Sequence, residues 1–349
     1  MLLFLLVLVV MTEMFLSLTA QGHQRNTSSQ NRHLLLREWH PNTDYRFRTP
    51  ESRFSENENV PDFYEISTDE NGFILPNKQH AIADKTLVFL GGSTTECMFV
   101  DPKKRFPYLT GRLLADQTSL KVNSYNAGRS GNNVMMSNLQ LMGKIIPMRP
   151  DYVIMMHGVN DIGVLGRKDG YWTDHPTFSL VRAPKSGLVP FLLQIRDATV
   201  PLTYRALKSG ILKFKQLVVS PAHAQNGMDK GKSFESALRT FVRTAKAWQI
   251  KPVLMTQVVL NNQDSKSEYL SKEQLAKGGF NQGQFEDMQR YFNEITRSVA
   301  LSEGALLIDL VKAKVWTGQD LYDDLHYSDQ GSEKVARIIS QHIQQDLKQ

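Results

Sequence analysis

The sequence predicts a doubly wound three-layer α/β/α sandwich on a mainly parallel five-stranded sheet. Three observations carry this. Short runs at 86–90, 122–127, 152–156, 252–257 and 305–309, largely apolar except for the Asn and Ser of 122–127, have the length of strands, and their composition suits strands covered on both faces. Helix-patterned segments lie between them, and such alternation implies right-handed crossovers and a parallel sheet. Turns rich in Gly, Asn and Asp follow four of the five runs, at the edge where an open parallel sheet gathers its chemistry.

In chain order, residues 1–10 are almost entirely aliphatic, and apolar character resumes at 14–18 after Thr12 and Glu13. A stretch of this length approaches what a bilayer crossing requires. Two readings stay open. A cleaved signal peptide lacks a basic start and carries Leu18 at the minus-three position before a cut after Ala20. A retained anchor has to bury Glu13. Both predict an exported, periplasmic or extracytoplasmic catalytic domain, held at the membrane through residues 1–20 if they are kept. Residues 21–85 are polar and punctuated by Pro41, Pro50, Pro61 and Pro76, which reads as a stalk and edge segment with a turn at Asn71-Gly72.

The main domain is expected over 86–349. Its first strand breaks at Gly91-Gly92, a pair that tolerates unusual backbone angles, and Ser93 follows. Helices are expected over 108–117, 133–146, 233–248, 285–301 and 333–347. Residues 167–228 depart from the rhythm with Trp172, Pro176, Pro184, Pro190 and Pro201, and read as an insertion or lid containing an amphipathic helix over 204–217. Residues 261–283 read as a polar loop.

With 349 residues, 41% of them hydrophobic, the chain can bury one large core beyond its N-terminal extension. Lys and Arg outnumber Asp and Glu by 41 to 35, but the charges are scattered, so nucleic acid is not implied. The single cysteine, Cys97, excludes an intramolecular disulfide and reads as a buried packing residue.

An alcohol nucleophile needs a base, and the base needs a carboxylate to fix its tautomer. Ser93 supplies the hydroxyl. His326 is the expected base, and Asp323, three residues earlier, can lie on the same side of a turn. Asp324 is the other carboxylate in reach, read as solvated or as a local cap. Oxyanion donors are expected from the N–H groups of Ser93 and Gly131 and from the Asn160 side-chain amide. Gly128 reads as turn-making, His157 as structural, Asp161 as bonded to local backbone, and Glu96 as complementing the next helix's dipole. No cluster has the spacing of a metal site, and neither metal nor cofactor is expected.

Gly91-Gly92-Ser93-Thr94, Asn126-Ala127-Gly128-Arg129-Ser130-Gly131-Asn132, Gly158-Val159-Asn160-Asp161 and Asp323-Asp324-Leu325-His326 occur in that order. Together they resemble the four blocks of the SGNH hydrolases, the GDSL esterase/lipase superfamily, with Gly92 where the commonest first block has aspartate. The resemblance runs from about residue 86 to the C-terminus, excluding 167–228. It implies the flavodoxin-like SGNH fold, Asp323 rather than Asp324 as orienter, and a metal-independent carboxylic ester hydrolase acting on a small ester. The Gly-Gly-Ser-Thr block behind a membrane segment and polar stalk further implies an O-acetyl or other short acyl ester on a carbohydrate of a bacterial envelope. Alternatives are an O-acyltransferase of an envelope glycan, a lipase or lysophospholipase with 167–228 as an apolar lid, and a catalytically silent glycan-binding protein. The last should have lost one of Ser93, Asn160 or His326, and none is lost.

Overall fold

A strand with no polar face has to be flanked on both edges and covered on both sides, and Lys85–Gly91 is. The computed structural model describes residues 33–34, 36–49, 61–167, 169–173, 178–182, 229–260 and 281–348. The strands in chain order are β1 His33–Leu34, β2 Asp44–Arg48, β3 Phe63–Ser67, β4 Lys85–Gly91, β5 Val122–Asn126, β6 Tyr152–Met156, β7 Val181–Arg182, β8 Lys251–Met255 and β9 Leu306–Ile308. Five form one parallel sheet in the order β5-β4-β6-β8-β9. The fold is the expected doubly wound α/β sandwich. Its first strand, β4, lies between the second and the third, so winding reverses there and a crevice opens beyond the carboxyl ends of β4 and β6.

The helices are α1 Ser93–Glu96, α2 Phe106–Thr118, α3 Val134–Gln140, α4 Val159–Leu165, α5 Lys230–Ala247, α6 Gln282–Glu303, α7 Leu310–Ala313 and α8 Asp329–Leu347. Side chains alternate between two cores along each strand, as the pleat requires. Leu87, Phe89, Ile154, Met156, Val253 and Met255 pack with Phe106 and Leu114 of α2 and Val335 and Ile339 of α8. Val88, Leu90, Val153, Met155 and Leu254 pack with Val134 of α3, Phe241 of α5 and Phe292 of α6.

The longer helices start on side chains that satisfy their first N–H groups. Asp229 accepts from Lys232 N, Ser328 from Gly331 N, and Asn281 forms a reciprocal box with Gln284. The Ser332 hydroxyl of α8 accepts the Phe106 N–H at 2.8 Å, fixing α8 to the start of α2. The helix expected over 133–146 is α3 followed by a π turn, Leu141–Ile145, and a 3-10 turn, Ile146–Met148. Pro147 is the reason, since it has no N–H to continue the ladder. Gly158 to Asp161, read from sequence as a turn, leads directly into a short helix, Val159–Leu165.

Ahead of the sheet, β2 and β3 pair antiparallel, and Ile74 N donates to Asn126 O at 3.0 Å at the end of β5. Trp39, Ile66 and Ile74 form a small core there. Arg105 is 2% exposed and ties this edge to the loop after α1: its guanidinium donates to Glu65 O (2.6 Å), Leu75 O (3.2 Å) and Cys97 O (3.1 Å). β1 and β7 pair antiparallel in a separate small unit. The segment at 1–20, the helix expected over 204–217 and the bulk of 167–228 and 261–283 lie outside the described residues. Among the described residues no helix is long and apolar enough to cross a membrane.

Candidate active site

β4 ends at Gly91 and the chain turns directly into the single turn of α1, with Ser93 as its first residue. A Cβ at Gly91 would fall inside the Thr95 side chain, so only glycine lets strand and helix meet this closely. Cys97 closes the turn at φ 54° and is buried, its Sγ 3.2 Å from Thr94 O. Burial pushes its thiol up to about 12, which keeps it protonated and leaves Ser93 as the nucleophile candidate here.

On the opposite wall, residues 321–327 form a tight loop closed by the Leu321↔Tyr327 bridge and by Tyr322 N donating to His326 O at 3.0 Å. Asp323 is the hub of that loop. Its Oδ1 accepts the N–H groups of Leu325 (2.9 Å) and His326 (2.6 Å), and its Oδ2 lies 2.8 Å from His326 Nδ1. Burial alone would raise the Asp323 carboxyl, but the imidazole and the two N–H groups outweigh it and hold the group below its ordinary range. A carboxylate can only accept, so Nδ1 carries the ring proton and Nε2 is left as an acceptor. Ser93 Oγ lies 2.8 Å from that Nε2. The Tyr322 ring stacks on the imidazole at 5.5 Å between centroids. Serine, histidine and aspartate thus stand in one hydrogen-bonded line.

The expected oxyanion donors gather beside it. Asn160, in the first turn of α4, donates one amide hydrogen to Asn132 O at 2.8 Å. Gly131 precedes Asn132 and holds φ 81°, a conformation that favours glycine. The N–H groups of Ser93 and Gly131 have no hydrogen-bond partner among the described residues. A Cβ at Gly92 would sit closer than 3.0 Å to Asn160 Nδ2, so the space a side chain would take at 92 is filled by the Asn160 amide. Sequence reading assigned no role to this departure from the common first block; the structure gives it one.

Three neighbours differ from expectation. Glu96 does not serve the helix dipole: it is fully buried, its Oε1 accepts Ser130 N (3.0 Å) and Arg129 Nη1 (3.3 Å), and its Oε2 meets the Ser130 hydroxyl. Burial raises its carboxyl above the ordinary value despite those bonds. Gly128 is not a turn-maker, because a Cβ there would lie 2.8 Å from Glu96 Cα and from Thr95 C; it lets the second block cross α1 backbone to backbone. Asp324 is buried, not solvated, and its carbonyl accepts the Leu260 N–H at 2.8 Å. Asp161 is bonded to local backbone as read, by its own N–H and that of Gly158, and it also reaches across the fold, its Oδ1 accepting Val134 N (3.0 Å) and the Tyr171 hydroxyl (2.5 Å). Burial lifts it to about 7. His157 is structural, as read: it is buried, its Nε2 is 2.7 Å from Ser137 Oγ, its Nδ1 is 3.8 Å from Asp161 Oδ2, and burial lowers it to about 3.

Gln257 was missed altogether. It lies just past β8, its Nε2 donates to Thr94 Oγ1 at 3.1 Å, and its Oε1 accepts Val159 N at 2.9 Å, joining the helices that carry Ser93 and Asn160. The available signal was its place at a strand's carboxyl end, the same signal that marks the four blocks.

Among the described residues no three His, Cys, Asp or Glu side chains are grouped to hold a metal ion. No curated protein matches the sequence. Similar solved structures include an alpha/beta hydrolase enzyme from the metagenome of Lake Arreo, Spain, 16% identical, covering 74% of this chain and 95% of that one at a TM-score of 0.44. An acetylxylan esterase from Geobacillus stearothermophilus is 16% identical over 75% of this chain and 94% of its own, also at 0.44. The lipase/acylhydrolase from Enterococcus faecalis is 17% identical over 75% and 96%, at 0.45. The assignment rests instead on the family model of the GDSL-like lipases/acylhydrolases, which matches residues 89–334, well over half of the sequence. The chain belongs to the GDSL-like lipase/acylhydrolase family and is a carboxylic ester hydrolase.

Proposed function

We propose that the protein is a serine esterase that removes a short acyl group, acetyl foremost, from a hydroxyl of a carbohydrate. The observation that carries the mechanism is the line from Ser93 Oγ to His326 Nε2 and from His326 Nδ1 to Asp323 Oδ2, 2.8 Å at each step. Ser93 Oγ attacks the acyl carbonyl as its proton passes to His326 Nε2, and Asp323 steadies the imidazolium that results. The carbonyl oxygen becomes an oxyanion held by the N–H groups of Ser93 and Gly131 and by the second amide hydrogen of Asn160. Collapse breaks the bond to the alcohol, which leaves with the His326 proton. Water then gives a proton to His326 and its oxygen to the acyl carbon; the second collapse releases the acid and returns the proton to Ser93.

The carbohydrate alcohol is supported by the resemblance of the first block and by the polar character of the half-buried residues beside the nucleophile, Arg129, Ser130 and Asn160. Export, with residues 1–20 as signal peptide or anchor, belongs to the same reading and rests on their aliphatic sequence. Fractionation of expressing cells tests it: enzyme confined to the cytoplasm would remove that part.

The function is tested by hydrolysis of p-nitrophenyl acetate, butyrate and octanoate and by acetate release from an acetylated oligosaccharide, with Ser93→Ala beside the wild type. Turnover that favours acetate and vanishes in Ser93→Ala is the expected result. A preference for octanoate points to a lipase, and wild type no faster than Ser93→Ala on every substrate sinks the serine mechanism.

A further inference from the structure

The Gly131 N–H belongs to the peptide that also carries the Ser130 carbonyl. A trans peptide is planar, with C=O and N–H pointing in opposite directions, so fixing the carbonyl aims the N–H. Arg37 fixes the carbonyl: its Nη2 donates to Ser130 O at 2.8 Å. It also lies against Gly131 itself, 2.8 Å from where a Cβ would stand. Glu96 fixes the preceding unit from the other side through the Ser130 N–H and hydroxyl. The two side chains reach the loop from different places, Glu96 from the helix that carries the nucleophile, Arg37 from a segment before the matched family region, 89–334. Arg37 is itself anchored by its backbone, whose carbonyl accepts Asn132 Nδ2 (3.1 Å) and Gln140 Nε2 (2.8 Å). That anchor does not depend on the guanidinium.

We propose that Arg37 and Glu96 are positioning residues that clamp the Ser130–Gly131 peptide and thereby aim the Gly131 N–H at the oxyanion. Neither touches substrate in this role. The inference rests on the serine-esterase reading, because it assigns the pair to the oxyanion donors of that mechanism.

The test compares p-nitrophenyl acetate with its thionoester, in which sulfur replaces the carbonyl oxygen. An oxyanion hole sized for oxygen discriminates against the larger, weaker acceptor, and a loosened hole loses that discrimination. Arg37→Met should lower kcat on the oxygen ester by about 100-fold with KM within about threefold. The oxygen-to-sulfur rate ratio should fall toward unity, and the pH midpoint of kcat should stay where it is, since His326 and Asp323 are untouched. Arg37→Lys, which can still donate to Ser130 O, should recover part of both the rate and the ratio. Glu96→Gln keeps an acceptor for the Ser130 N–H but loses the charge, so a tenfold loss or less, again with a lowered ratio, is expected.

A merely structural role lowers both esters by the same factor and leaves the ratio alone; that result, or wild-type kcat in Arg37→Met, overturns the inference. If Arg37→Met does not fold, Arg37→Lys and Glu96→Gln decide it by the same ratio. Wild type inert toward both esters would bring down the esterase reading, and this inference with it. An active wild type with an unchanged ratio in the variants overturns the clamp alone.

Discussion

Gly92→Ala separates stability from catalysis. Gly92 has φ −88° and ψ −150°, extended backbone open to alanine, so the substitution strains nothing by itself. The new methyl collides chiefly with the Asn160 amide, approaching Nδ2 closer than 3.0 Å where ordinary contact starts at 3.4 Å, and only grazes Asn132 O at 3.3 Å. That amide is the far end of a side chain and can retreat, by about 1 Å, at little expense in folding energy. The retreat stretches its 2.8 Å bond to Asn132 O and withdraws the hydrogen meant for the oxyanion. Losing one preorganised donor costs about 3 to 4 kcal/mol in the transition state, a kcat decrease of about 100- to 1000-fold. Steady-state kinetics on p-nitrophenyl acetate and thermal unfolding of the same preparation give both quantities. The expected outcome is that loss of kcat with Tm within a few degrees of wild type. Full activity in a folded Gly92→Ala protein would refute the reasoning, showing that Asn160 either holds its place or contributes nothing to the barrier.

Other outcomes follow from the buried groups. Asp161 is raised to about 7 in the folded chain from an ordinary 3.8, so its contribution to stability is complete below the lower value and is lost as pH rises through the upper one. Asp161→Asn should gain on wild type by about 1.4 kcal/mol for each pH unit between the two values; urea unfolding at a series of pH checks this, and a pH-independent difference refutes it. Arg105→Met removes three hydrogen bonds from a guanidinium that is 2% exposed, and should cost about 3 kcal/mol or more in the same assay. Cys97, with its thiol pushed up to about 12, should react with a disulfide reagent such as DTNB only after denaturation; rapid labelling of the native protein would contradict its burial.

What was legible in the sequence is what chemistry writes locally. The strand runs announce themselves because a doubly covered strand is largely apolar, and β6 coincides with its expected range, 152–156; β5 is the exception, burying Asn123, Ser124 and Asn126. Gly91-Gly92-Ser93 and Asp323 to His326 are legible because each is a single turn whose geometry depends on adjacent residues. Long-range partners are written nowhere. Glu96 meets Ser130 across 34 positions and Arg37 meets it across 93, and no spacing in the chain announces either pair. Asp161 bonds its local backbone as aspartates near turns usually do, but the bonds its Oδ1 also accepts from Val134 N and the Tyr171 hydroxyl are not announced by any spacing. The end of the helix expected over 133–146 was legible as Pro147, whereas the π turn at Leu141–Ile145 inside that range keeps the same apolar spacing and leaves no mark in the sequence.

Ser93 and His326 are 233 positions apart, and between them the chain lays down four of the five strands of the sheet. The nucleophile is made early and its base arrives nearly last, on a loop that α8 secures to α2 through the bond from Phe106 N to Ser332 Oγ. Non-local closure of this kind is slow beside helix formation. Activity therefore reports completion of the fold and not its onset: in refolding from urea, the far-ultraviolet helical signal should return before ester hydrolysis does. Until the last sixth of the sequence has docked, the molecule is a nearly finished sheet with a serine that nothing activates.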